Sequence, residues 1–411
     1  MHSNAFGRVL GIDICRGRVV ACLLTALPSD PQEFVREYEF HEFTLNRDGF
    51  NELMELQPDA VVYEPTGVAY SAVWVTRLQE KGVPCYGVDH KTLRGYRVGL
   101  KLPDKDDEAD AFALACYRLD PTKQGRFHFI RKRPDEAREL RRLVLRLQHL
   151  DRLKSPIINR LKQDLEMAFP EQANKNCDGA PLFWGWLAGE RKSKRYDAQL
   201  KNSIGLGLSP ETIWEAQMLT NIHREEARIE HNLSLLLGQT EAFLPYLTVF
   251  KKFGFGDRLS ALLLSQIYPL DDFLVEGKPE VRTGRSRKSR KLTARHLSLR
   301  RFQKALGVAP IREESGDSKK KHRGGSALCR KALWQWCFTR VEVKRKTSNA
   351  LLLEFRKLYN QAAAKFQEVD LSGITPTGER TSGLRIKLAR AYMRRKASVK
   401  LFKMLVEQIT G

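Results

Sequence analysis

Residues 60–63 read Ala-Val-Val-Tyr, a short, wholly apolar run of the kind found in strands buried on both faces. A second short buried run, Pro84–Val88, follows, with helical spacing over Val68–Gln79 between the two. Ahead of them, Val9–Ile14 and Val19–Leu24 read as strands joined by a turn at Arg16 and Gly17, and Phe40–Leu45 alternates like a third strand. Asp106–Arg118 then reads as a helix, with Ala109, Phe112, Ala113 and Cys116 on one side. This order of hairpin, strand, helix, strand, helix predicts a mixed-sheet α/β domain over residues 1–130.

Beyond it the pattern turns helical. Between Asp135 and Phe169 leucine-type residues recur every three or four positions from Leu140 to Leu165, interleaved with arginines that include Arg142, Arg146 and Arg160. The spacing predicts a long amphipathic helix, or a helical pair bent at Pro156, with coiled-coil packing as one outcome. Asn174–Gly207 reads as a connection with an embedded aromatic patch, and Pro210–Leu237 restores helical spacing, so residues 131–245 form a helical middle region. Residues 246–411 read as a mainly α C-terminal domain. In it the glycine turn Phe253-Gly254-Phe255-Gly256 feeds the helix Leu259–Ile267, and Arg282–Arg295 reads as a mobile basic loop. A polar stretch, Glu313–Gly325, separates Phe302–Ala309 from a helix spanning Ala327 to about Arg345, and Ala389–Lys403 reads as a basic helix.

Charge narrows the function classes. The 411 residues carry 71 Lys and Arg against 49 Asp and Glu, a formal charge of +22. The excess is not one tail. It recurs on the middle helix, at Arg285 and Arg287, at Lys319, Lys320 and Arg323, and on the last helix, which favours a nucleic-acid partner held by phosphate contacts. No apolar stretch approaches the roughly 20 residues needed to span a bilayer, and Met1 leads toward a strand without a signal-peptide pattern, so an intracellular protein is expected. Cys15, Cys22, Cys85, Cys116, Cys177, Cys329 and Cys337 are scattered without a Cys-x-x-Cys pair, which supports neither a disulfide framework nor a zinc site.

Four acids stand out against this basic background. Asp13 ends Gly11-Ile12-Asp13 at the close of the first strand, and Glu64 follows the apolar strand directly, ahead of Pro65-Thr66-Gly67. Asp107 and Asp110 are three apart, so they share a helix face. Each acid alone reads more readily as a turn, cap or helix-dipole residue. Together, on adjoining strand ends and a helix, they would repel one another unless cations neutralise them, as Mg²⁺ or Mn²⁺ would in phosphoryl transfer. Asp104 and Asp106 are spare acids nearby, and Asp106 also shares a face with Asp110.

Gly-Ile-Asp, then Glu-Pro-Thr-Gly, then Lys105-x-Asp107-x-x-Asp110-Ala111 resembles the N-terminal RuvC-like domain of the DEDD insertion-sequence transposases, which include the Piv/MooV-type DNA invertases. The resemblance implies an RNase H-like fold, with Asp13, Glu64, Asp107 and Asp110 as catalytic metal ligands. It continues in the Phe253–Gly256 turn, similar to the family's helix-hairpin-helix element with its proline replaced. It also covers Ala305–Pro310 with Glu314-Ser315-Gly316, and Gly325–Arg330, where the family has Gly-Asn-x-x-Leu-Arg. In the family the serine of Ser-Gly is the proposed nucleophile, which carries over to Ser315. Ser318 is a weaker candidate in the same stretch, and His322 is the nearest histidine in sequence. The chain departs from the family pattern in the Arg282–Arg295 insertion, in a single serine before Gly316, and in the altered Gly-Asn element.

The resemblance therefore implies a DNA transposase or site-specific recombinase that cuts and rejoins donor and target DNA. It further implies guidance by a structured noncoding (bridge) RNA, and a homodimer or tetramer in which acids and serine meet across subunits. The expected location is the cytoplasm of a bacterium or archaeon, with the nucleoid. Two alternatives remain open at this level: a RuvC-like nuclease that resolves branched DNA with the acids alone, and a nonenzymatic nucleic-acid-binding descendant of a transposase. An actin-like sugar kinase shares only Gly-x-Asp after a strand, without later phosphate loops.

Overall fold

The computed structural model describes residues 7–65, 70–102, 104–123, 128–130, 133–173, 181–285, 290–315, 318–367 and 381–411. The chain divides into two compact units, Met1–Lys132 and Arg133–Gly411.

In the first unit, β1 (Val9–Cys15) and β2 (Arg18–Leu24) form the expected hairpin, turned at Gly17 with φ +82°. Next come α1 (Pro31–Glu37), β3 (His41–Thr44), α2 (Arg47–Glu55), β4 (Ala60–Tyr63), α3 (Tyr70–Glu80), β5 (Cys85–Gly87), α4 (His90–Gly99) and α5 (Asp107–Leu119). The sheet order is β3-β2-β1-β4-β5; β2 is antiparallel to both neighbours, and β1, β4 and β5 run parallel. The alternation of a strand divides the core in two. Leu10, Ile12 and Ile14 pack with Trp74 and Leu78 of α3 on one face. Val9, Val20, Cys22 and Val62 pack with Phe112, Ala113 and Cys116 of α5 on the other.

Gly11 lies on that second face and lets α5 touch the strand. A Cβ at residue 11 would stand 2.0 Å from Ala111 O and 2.6 Å from Ala115 N, where no side chain fits. Asp13 is one pleat further along the same face.

The second unit opens with α6 (Asp135–Ala168), a single helix that contains Pro156, followed by α7 (Pro170–Ala173), α8 (Pro181–Leu187), α9 (Lys194–Lys201) and α10 (Pro210–Gln239). The stretch expected as a connection carries α8 and α9, and its aromatic patch is core: Phe183, Trp184, Trp186 and Leu187 are buried with Ile158, Leu161 and Leu165 of α6. Residues 174–180, with Cys177, lie outside the described residues.

Next are α11 (Leu244–Lys252) and α12 (Asp257–Ile267), joined by the glycine turn, in which Gly254 has φ +66°. Then follow β6 (Val281–Arg285), β7 (Leu292–His296), α13 (Leu297–Ala305), β8 (Pro310–Ser315), β9 (Ser318–Arg323), α14 (Ala327–Trp336), α15 (Ala350–Gln367) and α16 (Thr381–Thr410). Leu140 and Leu147 of α6 share one core with Phe253, Phe302, Phe355 and Leu405, so the boundary expected at residue 245 falls inside common packing.

Two expected loops are hairpins instead. The Arg282–Arg295 segment pairs as β6–β7 and the polar stretch as β8–β9, because backbone pairing needs no apolar face to form a two-stranded ladder. The helix expected to reach Arg345 gives way after Trp336 to a π-helical turn, Cys337–Val341. Among the described residues no single helix is long and apolar enough to cross a membrane.

Candidate active site

The acids of the first unit gather where β1, β4 and the start of α5 meet. The last parallel pair of β1 and β4 is Ile12 with Tyr63, so Asp13 and Glu64 are each the next residue on adjacent strands. Val62 packs on the α5 face, and Glu64, two residues on, follows the same alternation. The Thr66-Gly67 part of the expected turn lies outside the described residues. On α5, Asp106 is the N-cap: its carboxylate accepts from Ala109 N at 2.6 Å. That contact gives Asp106 a structural task and leaves Asp107 and Asp110, in the first turn, as the pair on this side.

Their electrostatics are those of a crowded anionic site. Burial pushes the Asp13 carboxyl up to about 7, and the negative charges of Asp107, Asp110 and Glu64 push in the same direction. Asp110 is 3% exposed, and its carboxyl is also raised, first by burial, with Arg97 pulling the other way. Arg97 Nε lies 2.8 Å from Asp110 Oδ1, and both side chains are buried. His90 Nδ1 lies 2.8 Å from Glu64 Oε1. Asp107 is half-exposed, with Arg18 Nη2 and Cys15 Sγ each 3.9 Å from Oδ2.

An all-oxygen set under mutual repulsion suits a hard divalent cation, since Mg²⁺ or Mn²⁺ would relieve the charge that raises Asp13. Among the described residues, no three His, Cys, Asp or Glu side chains stand close enough to hold a metal ion outright. Two side chains of α4 hold acids of the set: Arg97 engages Asp110 and His90 engages Glu64. Metal binding would have to draw both acids inward.

Arg97 and His90 were not legible as site residues. Hydropathy assigns an arginine to the solvent side of a helix, and only the buried partner Asp110 draws Arg97 in.

In the second unit, Ser315 sits at the tip of the β8–β9 hairpin, its backbone paired with Ser318. Three residues singled out in the sequence meet at the base of this hairpin. Gly307 and Gly325 have φ +69° and +74°, and a Cβ on Gly325 would stand 1.7 Å from Lys304 O. Arg330 Nη1 donates to Gly307 O and Gly324 O, both at 3.2 Å. The side chains of Ser315, Ser318, Lys319, Lys320, His322 and Arg323 lie outside the described set, as does all of Arg287.

Of the other basic candidates, Arg142 is paired with Glu139 at 2.6 Å, Arg160 with Asp164 at 3.2 Å, and Arg146 lies 4.0 Å from Glu225. These pairs are exposed and weak, so they leave the arginines able to exchange a carboxylate for a phosphate. Arg285 is exposed on β6.

Two transposase family models match the chain in order. The model of the DEDD-type IS110 transposases covers residues 10–170, and that of the transposase IS116/IS110/IS902 family covers residues 291–353. The chain belongs to the IS110-type transposases. All four acids of this IS110-type transposase fall within the first match, and Ser315 and the β8–β9 hairpin fall within the second. Membership makes it a transposase of insertion sequences, an enzyme that cuts and rejoins DNA. Among curated proteins none matches this transposase.

Proposed function

We propose that the chain transposes its insertion sequence with two chemical centres: a divalent-metal site made by Asp13, Glu64, Asp107 and Asp110 on an RNase H-like domain, and a nucleophilic serine, Ser315. The observation that carries the first is the half-buried Asp13, its carboxyl pushed up to about 7 by burial and then by the negative charges of Asp107, Asp110 and Glu64. Such an arrangement opposes folding, and phosphate chemistry with a bound cation is the physical gain that accounts for it. When bound, Mg²⁺ or Mn²⁺ would supply charge neutralisation at the transferring phosphoryl group. The acids' own part is to hold the cation, with Arg97 and His90 setting the positions of Asp110 and Glu64 in its absence.

Support for Ser315 comes from its place at a hairpin tip whose base is clamped by Gly307, Gly325 and Arg330. In the step proposed, Ser315 loses its hydroxyl proton and its Oγ attacks a backbone phosphorus. An Oγ–P bond forms, the phosphodiester P–O bond breaks, and the leaving deoxyribose oxygen takes up a proton. A deoxyribose hydroxyl from the second duplex later reverses the exchange, which releases the serine. Lys319, Lys320 and Arg323, on the strand that returns from the tip, supply cations for the phosphate.

The same reading includes donor and target DNA, a structured RNA that bridges them, and assembly as a homodimer or tetramer. The arginines of α6, with Arg142, Arg146 and Arg160, suit a partner recognised through its backbone.

A nicked suicide duplex carrying the element end tests the serine. Wild type should form a covalent protein–DNA adduct on denaturing gels, and Ser315→Ala should form none while retaining DNA binding. Strand cleavage undiminished in Ser315→Ala would replace this reading with that of a metal-dependent nuclease. Sequencing the nucleic acid that copurifies with the protein tests the RNA. A discrete species with complementarity to both DNA partners is expected, and recovery of only fragmentary RNA would refute the bridging role.

A further inference from the structure

The β6–β7 ribbon lies open to solvent. Nine of its ten residues are exposed, on both faces, and Gly284 is half-buried. A two-stranded ribbon without a core is marginal by itself. This one is anchored at its base. Leu297 N donates to Glu280 O at 2.9 Å, and Glu280 N donates to Ser298 Oγ, on a fully buried serine, at 2.8 Å. The Glu280 carboxylate then takes Arg301 at 2.7 Å and Arg282 at 2.8 Å, and Arg301 also donates to Phe273 O. The root is therefore fixed to α13 and the arms project from it.

The arms carry charge of one sign. The described residues from Val281 to His296 include Arg282, Arg285, Arg290, Lys291 and Arg295, and neither Asp nor Glu. Register sets Arg282 directly opposite Arg295. Like charges in that position destabilise a ladder, and of the two arginines it is Arg282 that pairs with Glu280. A ribbon built against its own repulsion is stabilised by a polyanion.

Its remaining residues point to base edges as well as phosphates. Val281, Thr283, Leu292, Thr293 and Ala294 are exposed, Leu292 at 75%. Small and methyl-bearing side chains of this kind contact the thymine methyl group, which lies in the major groove. That groove is about 12 Å wide in B-form DNA and admits a two-stranded β-ribbon. The major groove of A-form RNA is deep, narrow and closed to one.

We infer that the β6–β7 ribbon docks in the major groove of duplex DNA, with Arg285 and Arg295 on the backbone and Leu292 against base edges. This rests on membership in a DNA transposase family and is independent of Ser315, the metal site and any guide RNA.

The test uses the full chain and fluorescence anisotropy on three probes: a 30-bp DNA duplex, an RNA duplex of the same sequence, and single-stranded RNA. Arg285→Ala/Arg295→Ala should raise the DNA-duplex Kd about tenfold and reduce the slope of log K against log salt by about two, one per phosphate contact. Arg285→Lys/Arg295→Lys should retain the wild-type slope. Wild type should protect guanine N7 from dimethyl sulfate, a major-groove readout that Arg285→Ala/Arg295→Ala should weaken, while Leu292→Ala should raise the Kd and leave the slope unchanged. Unchanged DNA affinity and slope in the double alanine variant would overturn the inference. So would a loss on either RNA probe equal to or larger than that on DNA, which would make this an RNA-binding ribbon. Both residues are exposed, and among the described residues neither pairs with the core, so an unchanged melting temperature verifies folding. Ser315→Ala binds DNA like wild type if the ribbon acts as described, which separates failure here from failure of the serine chemistry.

Discussion

Replacing Asp13 by asparagine should make the metal-free protein more stable, and only above a certain pH. Burial and the charges of Asp107, Asp110 and Glu64 hold the Asp13 carboxyl at about 7, against an ordinary value of 3.8. A carboxyl raised that far costs folding about 4 kcal/mol once ionised. The repulsion is shared by four acids that relax when one is neutralised, so Asp13→Asn should recover about 2–4 kcal/mol. The sign follows from proton binding. Between about pH 4 and pH 7 the folded state holds a proton on Asp13 that the unfolded chain has lost, so wild-type stability falls as pH rises through this window. Asparagine does not titrate and escapes that fall. Thermal melts in EDTA should show the variant on the order of 10 °C more stable at pH 8 and equal to wild type near pH 4. With millimolar Mn²⁺ at pH 8 the order should narrow or reverse, because wild type gains a ligand that the variant binds poorly. A variant no more stable than wild type at pH 8 in EDTA, or stabilised equally at pH 4, would refute the crowded-acid account of the site.

Two further substitutions probe the supports of the site. Arg97→Met leaves Asp110 buried without its ion-pair partner and should cost about 3–5 kcal/mol in urea melts, while Arg97→Met/Asp110→Leu should recover most of that loss. Gly11→Ala forces α5 off β1 and should cost about 3 kcal/mol or more; calorimetric titration should also show weaker Mn²⁺ binding as the acids separate.

The strands of the sheet were legible because each has an apolar face: Val9–Ile14, Val19–Leu24 and Ala60–Tyr63 all emerged within a residue or so of their observed ends. Helix α5 was legible for the same reason, with Phe112, Ala113 and Cys116 inward. Helix α4 was not, since His90–Gly99 contains two glycines and presents Leu93 and the charged Arg97 to the interior. Helix α8, with Phe183, Trp184 and Trp186, is seven residues long, too short to display a period, so its dense aromatics read as a patch embedded in a connection when they are core. The β6–β7 and β8–β9 hairpins escaped because their ladders are backbone pairings. Strand reading from sequence depends on one face being apolar, and Lys319, Lys320 and Lys321 provide none. For the candidate site, the four acids could be selected by order and spacing. The partners of those acids could not, because Arg97 and Asp110 are 13 residues apart and nothing along the chain links them.

The contact at Gly11 turns the spacing of the acids into a property of the main chain. Because the α5 backbone rests on the β1 backbone at that point, the interval from Asp13 to Asp107 and Asp110 is a fixed gauge. Side chains around the rest of the sheet can vary in bulk without resetting it. Retuning this centre for a larger or smaller ion would therefore start at residues 11, 111 and 115, none of which carries a charge.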